Sequence, residues 1–180
     1  MLYSFKELLE IEKSRYNIEK KVKNRELFKV EDGIYSTKEI VDPTLIYAKK
    51  YPNSIVTLDN AFYYYGLTDV IPDKCYLATK QKATVIKNEN IVQIFTTDEL
   101  FEIGKTELEV DGITINIYDK ERMLIELIRR KKQLPLDYYK EIINNYRNSI
   151  YKISMKRVEK YASYFKIENH ILDTIQLEVL

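Results

Sequence analysis

The dipeptide Asp32-Gly33 lies between two short apolar segments, Leu27 to Val30 and Ile34 to Ser36. An Asp-Gly pair in such a setting is a strong predictor of a β-hairpin, because glycine adopts positive φ at no steric cost. The hairpin must close a short unit at the start of the chain. The residues before the hairpin are expected to form a short helix and a second, basic helix.

Two serines mark the expected starts of those helices. Ser4 and Glu7 have capping-box spacing, in which the hydroxyl accepts from a first-turn N–H and the carboxylate reaches back. This first helix is expected to end near residue 10. Ser14 is a second N-cap, and the turns after it place Ile18 and Val22 on one face. The sequence therefore predicts two helices followed by a hairpin.

The opposite face of the second helix is polar and basic. At about 100° per residue, that face carries Tyr16, Asn17, Lys20, Lys23 and Asn24. From position 13 to position 29, seven basic residues stand against two acidic ones, an excess of five positive charges in a chain of net charge +1. A helix that enters the major groove needs short polar donors for base edges and Lys or Arg for phosphates.

These features predict a winged helix-turn-helix over residues 1–38 that binds DNA through its second helix. Four residues are expected near the base edges, with Ser14 as the cap beside them: Arg15, Tyr16, Asn17 and Lys20. Phosphates would be contacted by Lys21, Lys23 and Lys29. The alternative is a solvated charged helix beside a small hairpin, since each feature taken alone is weak.

Residues 39–180 predict an α+β domain, with a small β-sheet flanked by helices. Asp42-Pro43 opens a helix, and Asp59 is expected to cap the next, which ends at Gly66. Three β-rich stretches follow at 74–79, 90–96 and 108–118, the last a hairpin turned by Asp111-Gly112. Helices are then expected from a cap at Asp119 and over 136–146, 153–165 and 168–178.

Composition excludes several classes of function. No run of apolar residues is long enough to span a membrane, and the N-terminus lacks the apolar core of a signal peptide, so we expect a cytoplasmic protein without membrane contact. A single cysteine, Cys75, and a single histidine, His170, leave no internal disulfide and no plausible zinc set. Without a phosphate-binding glycine loop or a nucleophile elbow, no enzymatic activity, metal or cofactor is expected.

Two further groups of charged residues are candidate sites. The pair Glu121-Arg122 is expected to be structural, with the carboxylate in the first turn of a helix and the guanidinium bridging to a neighbouring element. A second basic group could track phosphates or dock an acidic partner, although a solvated face is the favoured interpretation. Its members are Arg147, Lys152, Lys156, Arg157 and Lys160.

The order of these motifs resembles the AbiEi family of antitoxins and transcriptional regulators from bacterial type IV toxin-antitoxin and abortive-infection systems. The resemblance rests on the basic helix and its Asp32-to-Tyr35 wing, then on Asp42-Pro43, Asn53 to Leu58, Ala61 to Leu67, Ile71-Pro72, Asp111-Gly112 and Ile117 to Leu124. Met123 stands where threonine is usual. The N-terminus lacks a helix that usually precedes Ser4, and Arg25 occupies a position that is often glycine.

The resemblance implies a phage-defence antitoxin that represses its own operon by binding an inverted repeat in operator DNA. It also implies a second domain that opposes a nucleotidyltransferase-like toxin without a stable complex. A different class of function stays open: a protein-interaction module whose winged helix no longer binds DNA. Salt dependence separates the two, because phosphate contacts weaken steeply with salt and an apolar interface does not.

Overall fold

The computed structural model describes residues 1–180 and shows an α+β fold with two small sheets flanked by helices. The first 36 residues form β1 (Leu2–Ser4), α1 (Phe5–Glu12), α2 (Arg15–Lys23), β2 (Phe28–Glu31) and β3 (Ile34–Ser36). The three strands make an antiparallel sheet in the order β1-β3-β2. The expected pair of helices and the hairpin are confirmed.

The predicted caps of α1 and α2 are present. The Glu7 amide donates to Ser4 Oγ at 3.3 Å, and the Ser4 amide donates to the Glu7 carboxylate at 2.7 Å, so the capping box is complete. Ser14 Oγ accepts from the Asn17 amide at 3.2 Å. Two residues in the left-handed region, Lys13 at φ 63° and Arg25 at φ 60°, lie just after α1 and α2. These caps and bends set the direction of α2.

The larger sheet is mixed and has five strands: β4 (Ile55–Val56), β5 (Cys75–Lys80), β6 (Ile91–Thr96), β7 (Lys105–Val110) and β8 (Ile113–Tyr118). Their order in the sheet is β6-β5-β4-β8-β7. The strand pairs β5–β6 and β4–β8 are parallel, whereas β4–β5 and β7–β8 are antiparallel. Both Asp111 (φ 52°) and Gly112 (φ 74°) have positive φ in the β7–β8 turn.

Seven helices surround this sheet. Two of them, α3 (Pro43–Lys50) and α4 (Leu58–Tyr64), flank β4 in sequence, and the four-residue α5 (Asp98–Phe101) joins β6 to β7. The C-terminal helices are α6 (Lys120–Arg129), α7 (Leu136–Asn148), α8 (Met155–Ala162) and α9 (Glu168–Glu178). As expected, Asp42 and Asp119 cap α3 and α6 through their side chains.

Two helix starts differ from the expectation. Asp59 does not cap α4: the helix begins at Leu58, two residues earlier than expected, with Thr57 at the N-cap position. The Thr57 amide pairs with the Tyr76 carbonyl, so the chain turns directly from β4 into the helix. The helix expected over 153–165 is shorter and begins after a cap by Ser154. Lys152 therefore lies in a preceding 3-10 turn and does not share a helical face with Lys156 and Lys160.

The core is mostly one large apolar cluster, which includes Leu2 and Ile34 from the N-terminal sheet. Residues 1–38, here called the N-terminal module, add a small cluster of their own formed by Leu8, Ile18 and Leu27. Cys75 is buried in β5, as expected, and His170 lies exposed on α9. No helix of the structure has both the length and the apolar character needed to cross a membrane.

A buried ion network joins α6 to the turn before β7. The Arg122 guanidinium is 1% exposed; it donates to the carbonyls of Leu100 and Ile103 at 2.9 and 3.3 Å and to the Glu126 carboxylate at 2.9 Å. Glu121 is also buried, where it accepts from the Ser154 amide at 2.9 Å. The bridge expected of Arg122 is confirmed, and these contacts fix the helices around the large sheet.

Candidate nucleic-acid interface

Helix α2 is held by one face only. Ile18 is 1% exposed and packs with Leu8 of α1 and Leu27 before β2. Val22 packs against the same small cluster. Because a helix with one apolar stripe turns its other side to solvent, the polar side chains of α2 point away from the module.

Three side chains at the centre of that solvent side form what we call the α2 outer face: Tyr16, Lys20 and Lys23. They are spaced four and three residues apart, so they lie in one row along the helix. Tyr16 is 72% exposed, and Lys20 and Lys23 are also exposed. None of the three side chains makes a hydrogen bond or an ion pair with another part of the chain. They are free to bind a partner.

Three of the other expected contact residues are paired with acids. The ion pairs are Arg15–Glu19 at 2.9 Å, Lys21–Glu12 at 2.6 Å and Lys29–Asp32 at 3.0 Å. Hydrogen bonds to these carboxylates raise the pKa of both lysines, so they stay charged. These pairs involve three of the five cations among the expected contact residues, and each of the three has an anion beside it. A phosphate would have to displace the acid.

Ser14 and Asn17 hold the junction between α1 and α2. The Ser14 hydroxyl oxygen is the N-cap acceptor, and the Asn17 side-chain amide donates to the Glu12 carbonyl at 2.8 Å. The side-chain carbonyl oxygen of Asn17, Oδ1, remains free to accept a hydrogen bond. These two residues therefore lie at the expected N-terminal end of α2, with part of their hydrogen-bonding capacity already used.

An open groove of about 590 Å³ runs between α2 and the β2–β3 hairpin. Lys23 lines one side and Lys29 the other, with the rings of Phe5 and Tyr35 at the base, 6.2 Å apart. In the hairpin, only Gly33 of the turn has positive φ (78°), and the register of β2 on β3 shifts between Lys29 and Glu31. The structure thus places basic residues on both elements.

Lys13, next to the Ser14 cap of α2, is a further basic residue that was not among the expected contact residues. It is exposed, makes no ion pair, and precedes the Ser14 cap in the left-handed conformation. In the sequence, the only indication of Lys13 was its place at the start of the run of basic residues. Helical periodicity could not assign it, since it lies outside both helices.

The second basic group is not one continuous surface. Arg157 pairs with Glu121 at 2.8 Å and lies 3.6 Å from Asp119, and Arg147 donates to the Glu178 carbonyl at 2.6 Å. Lys156 and Lys160 lie one turn apart on the exposed side of α8 and make no ion pair. Lys152 lies over the Tyr151 ring at 5.4 Å.

No group of three or more His, Cys, Asp or Glu side chains is placed to hold a metal ion.

No protein-family model matches the chain, and no curated protein shows significant sequence similarity to it. The geometry of the N-terminal module is therefore the strongest guide to a function.

Proposed function

We propose that residues 1–38 form a winged helix-turn-helix and that the chain is a cytoplasmic, DNA-binding regulator. One observation carries this proposal: the α2 outer face offers an exposed tyrosine and two unpaired lysines in a row, on a helix whose other side is anchored. A hairpin with a lysine of its own lies beside it. A helix that projects polar and basic side chains next to a hairpin suits the major groove and its flanking phosphates.

In this arrangement the N-terminal part of α2 reads base edges. The Tyr16 hydroxyl and the free side-chain carbonyl oxygen of Asn17 can hydrogen-bond to bases. Arg15 can do so when its ion pair with Glu19 breaks. Lys20 was expected near the base edges, but it makes no ion pair and lies in one row with Lys23, so both lysines are assigned to phosphates, with Lys29 on the wing. Lys21 is a weaker candidate because Glu12 holds it at 2.6 Å.

The resemblance to AbiEi-type regulators suggests the biological setting. We propose that the chain is an antitoxin of a type IV toxin-antitoxin operon that represses its own transcription at an inverted repeat. In that role residues 39–180 oppose a nucleotidyltransferase-like toxin without a stable complex. The resemblance in motif order supports this part of the proposal, and the α2 outer face supports only the DNA-binding part.

Fluorescence anisotropy with labelled DNA from upstream of the chain's own gene tests DNA binding. We expect the upstream duplex to bind at least about tenfold more tightly than a shuffled duplex of the same length. Tyr16→Ala should reduce that preference, because it removes a group near the bases and no charge. Equal binding of both duplexes by the unaltered chain would refute the role as an operator-binding regulator.

Growth of cells that express a nucleotidyltransferase-like toxin encoded next to this chain's gene tests the antitoxin role separately. Co-expression of this chain should restore growth, and so should a chain with Lys20→Ala and Lys23→Ala, because neutralisation is assigned to residues 39–180. Failure of both chains to restore growth would contradict the antitoxin role and leave DNA binding unaffected.

Exposed apolar side chains favour a second candidate function, a protein-interaction module. Ile11 is 57% exposed and Tyr16 is 72% exposed, on neighbouring helices of the N-terminal module. A protein partner could cover them. Binding through such a surface would change little with salt, whereas DNA binding would weaken steeply.

A further inference from the structure

A cavity of about 750 Å³ lies beside the large sheet, away from the α2 outer face. Four segments line it: the chain between α3 and β4, the end of β5 with the loop after it, α5, and the start of β7. None of the α2 outer-face residues lines it. Sites for small molecules usually have volumes of about 300–1,000 Å³, so the cavity is large enough for one.

The charged side chains of this cavity are mostly basic. Its cations are Lys50, Lys80, Lys82 and Lys105, and its anions are Asp98 and Glu102. Glu102 lies 3.6 Å from the Lys80 ammonium and 3.9 Å from that of Lys105, too far for a hydrogen bond to either. Lys82 makes no ion pair. The cavity therefore holds more positive charge than its own acids neutralise.

Two of these lysines are positioned by neighbouring side chains. The Lys80 ammonium lies 5.5 Å from the centre of the Phe101 ring, and Phe101 is only 3% exposed. Lys50 pairs with Glu31 at 3.0 Å and lies 6.0 Å from the Tyr51 ring. Lys80 therefore loses less conformational entropy when it binds an anion, whereas an anion that binds Lys50 must displace the Glu31 carboxylate.

We propose that this cavity binds a small molecule that carries a chain of phosphate groups. Lysine ammoniums bind phosphate as point charges, and several of them around one cavity match several linked phosphates. Single carboxylates would use only part of that charge. The proposal is independent of DNA binding, since the two surfaces share no residue.

Isothermal titration calorimetry with the full chain at about 50 mM salt, where screening is weak, tests the proposal. The probes are sodium tripolyphosphate, ATP and adenosine. We expect tripolyphosphate and ATP to bind one per chain and adenosine not to bind. If ATP binds more tightly than tripolyphosphate, the ligand is a nucleotide. If the two bind equally, the site recognises the phosphate chain alone. Either result supports the site.

Lys80→Ala with Lys82→Ala should weaken the binding of ATP and of tripolyphosphate at least about tenfold, because charged contacts are lost. The matched control, Lys132→Ala with Lys140→Ala, removes the same charge from exposed lysines outside the cavity and should change affinity less than about twofold. The variant with Lys20→Ala and Lys23→Ala should also stay within about twofold, which separates this site from the DNA surface.

Three results would overturn the proposal: no binding of either phosphate compound, binding of adenosine as tight as that of ATP, or equal losses in the cavity and control variants. Thermal unfolding of each variant shows whether it is folded. Lys105→Ala alone provides a second variant at the cavity, and it should also weaken the binding of both phosphate compounds.

Discussion

The Lys49 ammonium of α3 lies 2.7 Å from Oε1 of Glu7, the carboxylate that also closes the capping box of α1. One side chain thus caps a helix of the N-terminal module and ties that helix to the rest of the protein. Lys50 makes a second link, to Glu31 of β2 at 3.0 Å. Together with Leu2 and Ile34 in the main core, these ion pairs hold the N-terminal module against the rest of the protein.

Replacing Glu7 by glutamine should destabilise the protein by about 0.5–1 kcal/mol at pH 7, the usual scale for a partly exposed ion pair with a helix N-terminus. Partial burial alone would raise the pKa of Glu7, but hydrogen bonds from Lys49 and Ser4 outweigh it and the pKa is lowered. The contribution is therefore complete above the ordinary pKa of 4.5 and is lost as the pH falls through the lower folded value.

Urea unfolding of the unaltered chain and of Glu7→Gln between about pH 7 and pH 3 measures this effect. Glu10→Gln serves as the control, since Glu10 lies exposed on the same helix and makes no ion pair. A Glu7→Gln difference that stays constant down to pH 3 would contradict the assignment to this carboxylate.

Gly104 should tolerate alanine far less well than Gly112, although both have positive φ, at 76° and 74°. A Cβ at Gly104 would lie 2.5 Å from Arg122 Cβ, whereas one at Gly112 would meet nothing within 4 Å. We predict a loss of about 1 kcal/mol for Gly112→Ala from the left-handed backbone and about 3 kcal/mol or more for Gly104→Ala. Equal unfolding free energies of the two variants would show that Arg122 is not packed against this turn.

Arg25→Gly should stabilise the protein by about 0.5–1 kcal/mol, because glycine removes the left-handed penalty at φ 60°. Its ion pair with Glu39, at 3.9 Å between exposed side chains, contributes little. Arg25→Ala is the control, since alanine keeps the penalty and should leave stability nearly unchanged. Stabilisation by alanine as large as by glycine would mean that the arginine side chain, and not the backbone, is unfavourable here.

Cys75 should be almost inert towards thiol reagents in the folded protein. Burial, with a smaller contribution from the Asp42 carboxylate, raises the pKa of its thiol to about 12. Since the thiolate is the reactive form, we expect an aromatic disulfide reagent at pH 8 to react at least about 100-fold more slowly than it does in urea. Rapid reaction of the folded chain with one equivalent of reagent would contradict the burial of Cys75 in β5.

Much of the fold could be predicted from neighbouring residues. The Ser4–Glu7 box and the Asp32-Gly33 and Asp111-Gly112 turns depend on short-range geometry, so their residue types were sufficient. The mixed sheet was not predictable, because the parallel pairing of Val56 with Ile117 joins segments far apart in sequence. The burial of Arg122 was not predictable for the same reason, because two of its acceptors, the carbonyls of Leu100 and Ile103, come from the chain before β7.

The candidate interface shows a similar division. Helical periodicity predicted that Tyr16, Lys20 and Lys23 would share an exposed side, because Ile18 and Val22 define the buried one. Periodicity could not predict the ion pair between Glu12 and Lys21, since it depends on how α1 packs against α2. The cavity near Lys80 was also not predictable, because it brings together four separate segments.

The central claim is that the α2 outer face binds DNA phosphates, and a salt titration of operator binding tests it most directly. With affinity plotted against salt on logarithmic axes, Lys20→Ala with Lys23→Ala should reduce the slope by about 2, one unit for each lost phosphate contact. Lys156→Ala with Lys160→Ala, which removes the same charge from α8, should leave slope and affinity nearly unchanged. Equal slopes for the unaltered chain and the α2 variant, or equal losses in both variants, would contradict the account.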